Sequence, residues 1–261
     1  MWKIKQTAGI KFFELEADPR FSIIFTTRTG GVSEGPFRSL NFGYSVGDQK
    51  ETVDQNFALL QRALSIERLV TLDQIHSNKV FYARDSMTEA GDGLFTDRPG
   101  LALAVKVADC LPIYFFNSAV PAATTPGVEA IASIAGIVHA GWRGTAKQIA
   151  AVLVREMTEK FKITGQDLLF AFGPGIGPCC YEIGPDVREI FGGRFITERN
   201  DRWYLDLKAA NRALLSDMDL TEAGSLDVCT RCNPDFFYST RRETPTGRNL
   251  ALIRIKEIPK E

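Results

Sequence analysis

The sequence predicts an α+β fold, a layered α/β sandwich with mixed sheets, on three observations. Two apolar runs, ALAVKVADCLPIYFF (102–116) and AIASIAGIVHA (130–140), read as strands. Other segments carry apolar residues at helical spacing. Strands and helices also mix without a strict βαβ alternation, which argues against a doubly wound parallel sheet.

The elements follow in order. IKFFELEA (10–17), FSIIFTTR (21–28) and KVFYARD (79–85) alternate or run on in β-branched and aromatic residues, and predict strands. Val53, Phe57, Leu60 and Leu64 recur at helical spacing and predict a helix over 50–64. A second helix is expected to begin near Thr145 as its N-cap, with Ile149, Leu153 and Met157 on one face. Shorter helices are expected at 185–191 and 206–217. DLLFAFGP (167–174), SLDVCT (225–230) and RNLALIRIKE (248–257) read as late strands. NSAVPAATTPGVEA (117–130), rich in Pro, Thr and Ala, reads as an exposed insertion between two strands, so residues 1–261 count as a single domain.

Composition narrows the function classes. A formal charge of −1 argues against a general nucleic-acid or membrane-surface partner, since both usually need a basic excess. Cys110, Cys179, Cys180, Cys229 and Cys232 are odd in number and do not read as a disulfide framework. The first twenty residues lack an apolar signal-peptide core, and no uninterrupted apolar run is long enough for a membrane span. A soluble, reducing, cytoplasmic setting is the expectation. A chain of 261 residues buries a substantial core unaided, so a metal would serve chemistry more than folding.

The chain has two histidines. His76 lies just before a strand, His139 ends SIAGIVHA, and Cys110 ends LALAVKVADC. Strand ends let side chains converge on a cleft while rigid elements hold them. Two His and one Cys with an open fourth position make the donor set of a catalytic zinc. A thiolate and two neutral imidazoles would leave the ion net positive charge, which lowers the pKa of a bound water. The competing reading is a packed thiol and two hydrogen-bonded histidines, and the wide spacing matches no compact zinc motif.

Four further stretches carry candidates. GPGIGPCCYEIG (173–184) is neither a P-loop nor a dinucleotide fingerprint; its glycines admit a ligand close to the backbone, Glu182 could exchange protons, and Cys179 and Cys180 read as packed in a tight turn. Arg28 opens the Gly- and Ser-rich stretch after FTTR and suits an oxyanion, while Arg241, Arg242 and Arg248 cluster near the last strand. CTRC (229–232) has CxxC spacing with no second pair beside it, and reads as structural.

Taken together, TTRTGGVSEGPFRSLNFG, LDQIHSNKV, DGLFTDRPGLALAVKVADCLPI, VHAGWRGT, GPGIGPCCYEIG and FFYSTRRETPTGRNLALI resemble, in order, the motifs of the multi-copper polyphenol oxidase (laccase-domain) family, across about residues 20–255. The resemblance implies that family's own sandwich fold and a zinc held by His76, Cys110 and His139. It also implies phosphorolysis of adenosine, inosine, guanosine and methylthioadenosine, and deamination of adenosine. One set of two His and one Cys cannot supply the several copper ligands of a laccase, so copper ranks after zinc and polyphenol oxidation ranks last. Purine nucleosides and phosphate are the expected partners. On this reading Asp109 or Glu182 shuttles the proton, and Arg28, with Arg143 or Arg242, holds phosphate. The alternatives are a cysteine hydrolase acting on peptidoglycan precursors, with Cys110 as nucleophile and His139 as base, and a non-catalytic zinc or nucleoside-binding protein.

Overall fold

The computed structural model describes residues 1–117 and 132–257, so most of the expected insertion at 117–130 lies outside the described residues. In chain order the strands are β1 (Trp2–Thr7), β2 (Ile10–Leu15), β3 (Phe21–Thr26), β4 (Arg68–Val70), β5 (Val80–Tyr82), β6 (Gly93–Thr96), β7 (Leu101–Val107) and β8 (Leu111–Asn117). They continue with β9 (Ala135–Ala140), β10 (Leu168–Phe172), β11 (Glu182–Ile183), β12 (Ile196–Arg199), β13 (Arg202–Leu205), β14 (Thr221–Ser225) and β15 (Asn249–Ile255). The helices are α1 (Lys50–Ala63), α2 (Trp142–Ala146), α3 (Ile149–Phe161), α4 (Pro185–Phe191) and α5 (Leu207–Ser216).

Two six-stranded mixed sheets, ordered β1-β2-β3-β15-β7-β4 and β14-β10-β8-β9-β6-β5, pack face to face, and β11-β13-β12 form a small third sheet. Side-chain alternation builds the layers. On β7, Leu101, Leu103, Val105 and Val107 point between the sheets with Phe25, Ile253, Tyr114 and Ile137. Ala102 and Ala104 of the same strand face the opposite way, onto Leu60 of α1. On β8, Ile113 and Phe115 turn outward to Leu153 and Met157 of α3 and Leu215 of α5. The order of layers is thus helix, sheet, sheet, helix. Central strands are buried on both faces, which is why they read as unbroken apolar runs.

Three local expectations change. Thr145 lies inside the short helix α2, and α3 begins after Gln148, whose left-handed backbone (φ 56°) breaks the two apart. The Thr145 hydroxyl instead accepts a hydrogen bond from Asn211 of α5 at 3.0 Å, tying the two helices together. SLDVCT is not a strand: β14 covers Thr221–Ser225 and stops where the chain turns toward Cys229. The strands β1, β4 and β6 and the small third sheet carry no clear apolar alternation, and pairing with neighbours makes them strands. Among the described residues no helix is long and apolar enough to cross a membrane.

Candidate active site

The strand β7 belongs to one large sheet and β8 to the other, so residues 108–110 carry the chain across the seam. Asp109 makes the turn with φ 84°, in the left-handed region. Its carboxylate accepts hydrogen bonds from the Thr230 hydroxyl (2.7 Å), the Thr240 hydroxyl (2.9 Å) and the Arg241 backbone N–H (2.9 Å), which fixes this otherwise costly conformation. Cys110 follows at the edge of the sandwich. Beside it, His139 on β9 pairs in register with Pro112 of β8.

The third residue arrives through a buried carboxylate. Asp92, immediately before β6, accepts from the His76 backbone N–H (3.0 Å), the Ser77 backbone N–H (2.5 Å) and the Ser77 hydroxyl (2.7 Å). The same carboxylate binds His139 Nδ1 at 2.9 Å. One side chain therefore folds the turn that carries His76 (φ 56°) and orients the ring of His139. The two imidazoles meet edge to face with centroids 4.8 Å apart.

The ligand atoms of His76, Cys110 and His139 all lie within 4.8 Å of one another. Gly141 leaves them the room: a Cβ there would sit 2.9 Å from Cys110 Sγ and 3.5 Å from the His76 ring. The donor set fits a divalent ion of the zinc type, with two imidazole nitrogens and a thiolate. The Asp92–His139 hydrogen bond supports that fit, because it leaves Nε2 as the nitrogen free to ligate.

Electrostatics favour an ionised sulfur. Burial pushes the Cys110 thiol up, but the facing His139 and His76 outweigh it and bring it down to about 6. Burial pushes His139 down, yet the Cys110 thiolate and the Asp92 carboxylate raise it to about 9. Burial also pushes the Asp92 carboxyl up, and the His139 and Ser77 donors hold it at about 2. The thiolate is both the metal-binding and the nucleophilic form of cysteine.

All three residues line a cavity of about 530 Å³, within the ~300–1,000 Å³ span of small-molecule sites. Its other walls include Tyr44, Asp73, Gln74, Lys106 and Arg248. Lys106 Nζ donates to the Leu72 carbonyl at 3.0 Å, and the half-buried Arg248 is braced on the carbonyls of Thr246 and Gly247, each at 3.0 Å. The remaining sequence candidates are engaged as follows. Asp109 commits its carboxylate to the turn, and Glu182 pairs with Arg202 at 3.0 Å on β11. Arg28 is held by the carbonyls of Arg38 and Pro234 and by Glu243. Arg242 binds the carbonyls of Thr230, Arg231 and Phe237, and the exposed Arg143 stacks on Trp142. None of these five lines the cavity. The sequence offered no motif for Lys106, Asp73 or Asp92; Arg248 was visible only as one of a basic cluster.

The fold and this donor set define a class of α+β proteins that gather two imidazoles and a thiolate at the seam of a sandwich. Residues 22–256 match the model of the family described as multi-copper polyphenol oxidoreductase laccase, and the chain belongs to that family. It is 36% identical over 256 residues to "Purine nucleoside phosphorylase YlmD" of Geobacillus stearothermophilus, covering 89% of each chain. It is 36% identical over 237 residues to "Purine nucleoside phosphorylase" of Deinococcus radiodurans, covering 88% of this chain and 87% of that one. Among solved structures, the Bacillus licheniformis hypothetical protein YfiH superposes with a TM-score of 0.84 at 30% identity, over 97% of this chain and 99% of that one.

Replacing Asp92 by Asn keeps the shape of the site and removes the charge that orients His139. Zinc affinity at the His76–Cys110–His139 set is expected to fall about 10–100-fold, read by competition against a chromophoric chelator; an unchanged affinity would remove Asp92 from the site.

Proposed function

We propose that this chain is a zinc-dependent purine nucleoside phosphorylase that takes adenosine, inosine, guanosine and methylthioadenosine, and that it also deaminates adenosine. The observation that carries the reading is the set of His76, Cys110 and His139 opening onto a cavity that two cationic side chains, Lys106 and Arg248, also line. The names of the relatives support the phosphorylase part of this reading. The reading takes residues 1–261 as one laccase-domain-type unit in a cytoplasmic setting.

His76, Cys110 and His139 would hold a zinc, which would supply a Lewis acid. Arg248 and Lys106 hold the phosphate, taking the part that sequence reasoning gave to Arg28, Arg143 and Arg242. Tyr44 forms an aromatic wall for the purine. In phosphorolysis a phosphate oxygen bonds to C1′ as the bond from C1′ to the purine nitrogen breaks, and the purine leaves with the electron pair. Asp73, a carboxylate that lines the cavity, is placed to move the proton this leaving group needs. Asp109 serves instead as a positioning residue for Cys110.

A second reading rests on a specific contact: Asp92, His139 and Cys110 form the carboxylate, base and nucleophile series of a cysteine hydrolase acting on an amide such as a peptidoglycan precursor.

Incubation with adenosine and phosphate is expected to yield adenine and ribose 1-phosphate, with inosine from the deamination arm in the absence of phosphate. His139→Ala is expected to abolish both. Full turnover by that variant or by metal-stripped protein would defeat the zinc reading. In Arg248→Ala the KM for phosphate is expected to rise about 10- to 100-fold, the cost of one charged hydrogen-bonding group; an unchanged KM moves the phosphate elsewhere. On the hydrolase reading, metal-stripped protein takes up one equivalent of an amide-like electrophile at Cys110. Because the thiolate persists above about 6, that labelling holds at neutral pH and fades as pH falls through about 6. An ordinary thiol would already fade below its pKa of ~8.5.

A further inference from the structure

The CxxC of residues 229–232, which reads in sequence as lacking a partner pair, finds one in space. The glycine-rich turn after β10 brings Cys179 and Cys180 against Cys229 and Cys232, and all four sulfurs lie within 4.8 Å of one another. We propose that Cys179, Cys180, Cys229 and Cys232 form a second metal site, a tetrathiolate that holds one structural zinc.

The spacing is that of a single ion. Tetrahedral Zn–S bonds of about 2.3 Å place sulfurs about 3.8 Å apart. Cys179 and Cys232 stand 3.8 Å apart, and Cys180 and Cys232 3.3 Å apart. Four cysteines gathered around one point leave no space for the bridging sulfides of an iron–sulfur cluster. All four are free thiols, although their proximity would permit disulfides.

The surroundings suit an anionic sulfur cage. The Gly177 backbone N–H donates to Cys229 Sγ at 3.2 Å. The backbone N–H groups of Arg231 and Cys232 also point at Cys229, two and three residues along the chain, as expected of a chain wrapped around a metal-bound thiolate. Four thiolates on a divalent ion carry a net charge of −2, and the Arg231 side chain lies against Cys180 to offset part of it. A Cβ on Gly177 would stand 3.3 Å from both Cys179 Sγ and the Cys229 Cβ, so glycine lets the two segments close on each other.

The site clips together two segments that both hold the Asp109 turn. Gly175 forms a bridge with Cys229, and the Thr230 N–H donates to the Gly175 carbonyl at 3.0 Å. From these segments the Ile176 N–H reaches the Asp109 carbonyl at 2.8 Å, and the Thr230 hydroxyl reaches the Asp109 carboxylate at 2.7 Å. The zinc would thus stiffen the support behind Cys110 without touching the cavity.

The test counts metal, not turnover, and so stands apart from the proposed reaction. Protein purified under reducing conditions without chelator is measured by elemental analysis and native mass spectrometry. One equivalent of zinc is expected to persist in His139→Ala, and the total is expected to fall by one equivalent in Cys179→Ser/Cys232→Ser, a variant that changes two exposed positions. Should that variant not fold, His139→Ala protein loaded with cobalt is expected to give the charge-transfer spectrum of a tetrathiolate ion. Zinc unchanged in the double serine variant, no cobalt bound in His139→Ala, iron in place of zinc, or a mass lower by the four hydrogens of two disulfides would each overturn the site.

Discussion

The crossing from β7 to β8 is the constraint on which the rest depends. Two packed sheets lie about 10 Å apart, and here the chain passes from one to the other in three residues. So short a link forces Asp109 into left-handed backbone and delivers Cys110 to the seam itself. Everything near the seam serves that turn. Thr230, Thr240 and Arg241 satisfy its carboxylate, and the glycine-rich turn satisfies its carbonyl through Ile176. Burial of β7 and β8 on both faces then keeps the crossing from relaxing.

The histidines reach the same point by different routes. His139 is carried there by the register of β9 on β8, a consequence of sheet pairing. His76 sits in a loop with no strand to aim it, and its turn exists because the Asp92 carboxylate collects the donors of His76 and Ser77. The chemistry of the cavity thus rests on a residue that a list of ligands would omit.

The sequence made the two-faced strands and the longer helices legible, because continuous apolar runs and 3.6-residue periods survive without tertiary context. It also drew attention to His76, Cys110 and His139, two of them the chain's only histidines, as residues read to lie at or near strand ends. What escaped it was long-range. Asp92 reads as any acidic residue before a strand, and Lys106 is hidden as a polar position within β7. The cysteine pairs 179–180 and 229–232 are some fifty residues apart and meet where the chain continues beyond the paired β10 and β14. Nor does the sequence reveal that Arg28 and Arg242 are engaged on backbone carbonyls, bracing loops that the regular elements leave unsupported.

The shared carboxylate of Asp92 also makes His76 and His139 one unit in thermodynamic terms. A displacement of either histidine alters the hydrogen bonds available to the other, so their losses should be strongly non-additive, like those of groups in one network. The same sharing means that the entropy of ordering the His139 ring and the His76 backbone is met during folding, when Asp92 is buried, and not when an ion arrives. A site assembled in this way binds as a finished receptor, and its affinity is set as much by the packing around β6 as by the donors that face the cavity.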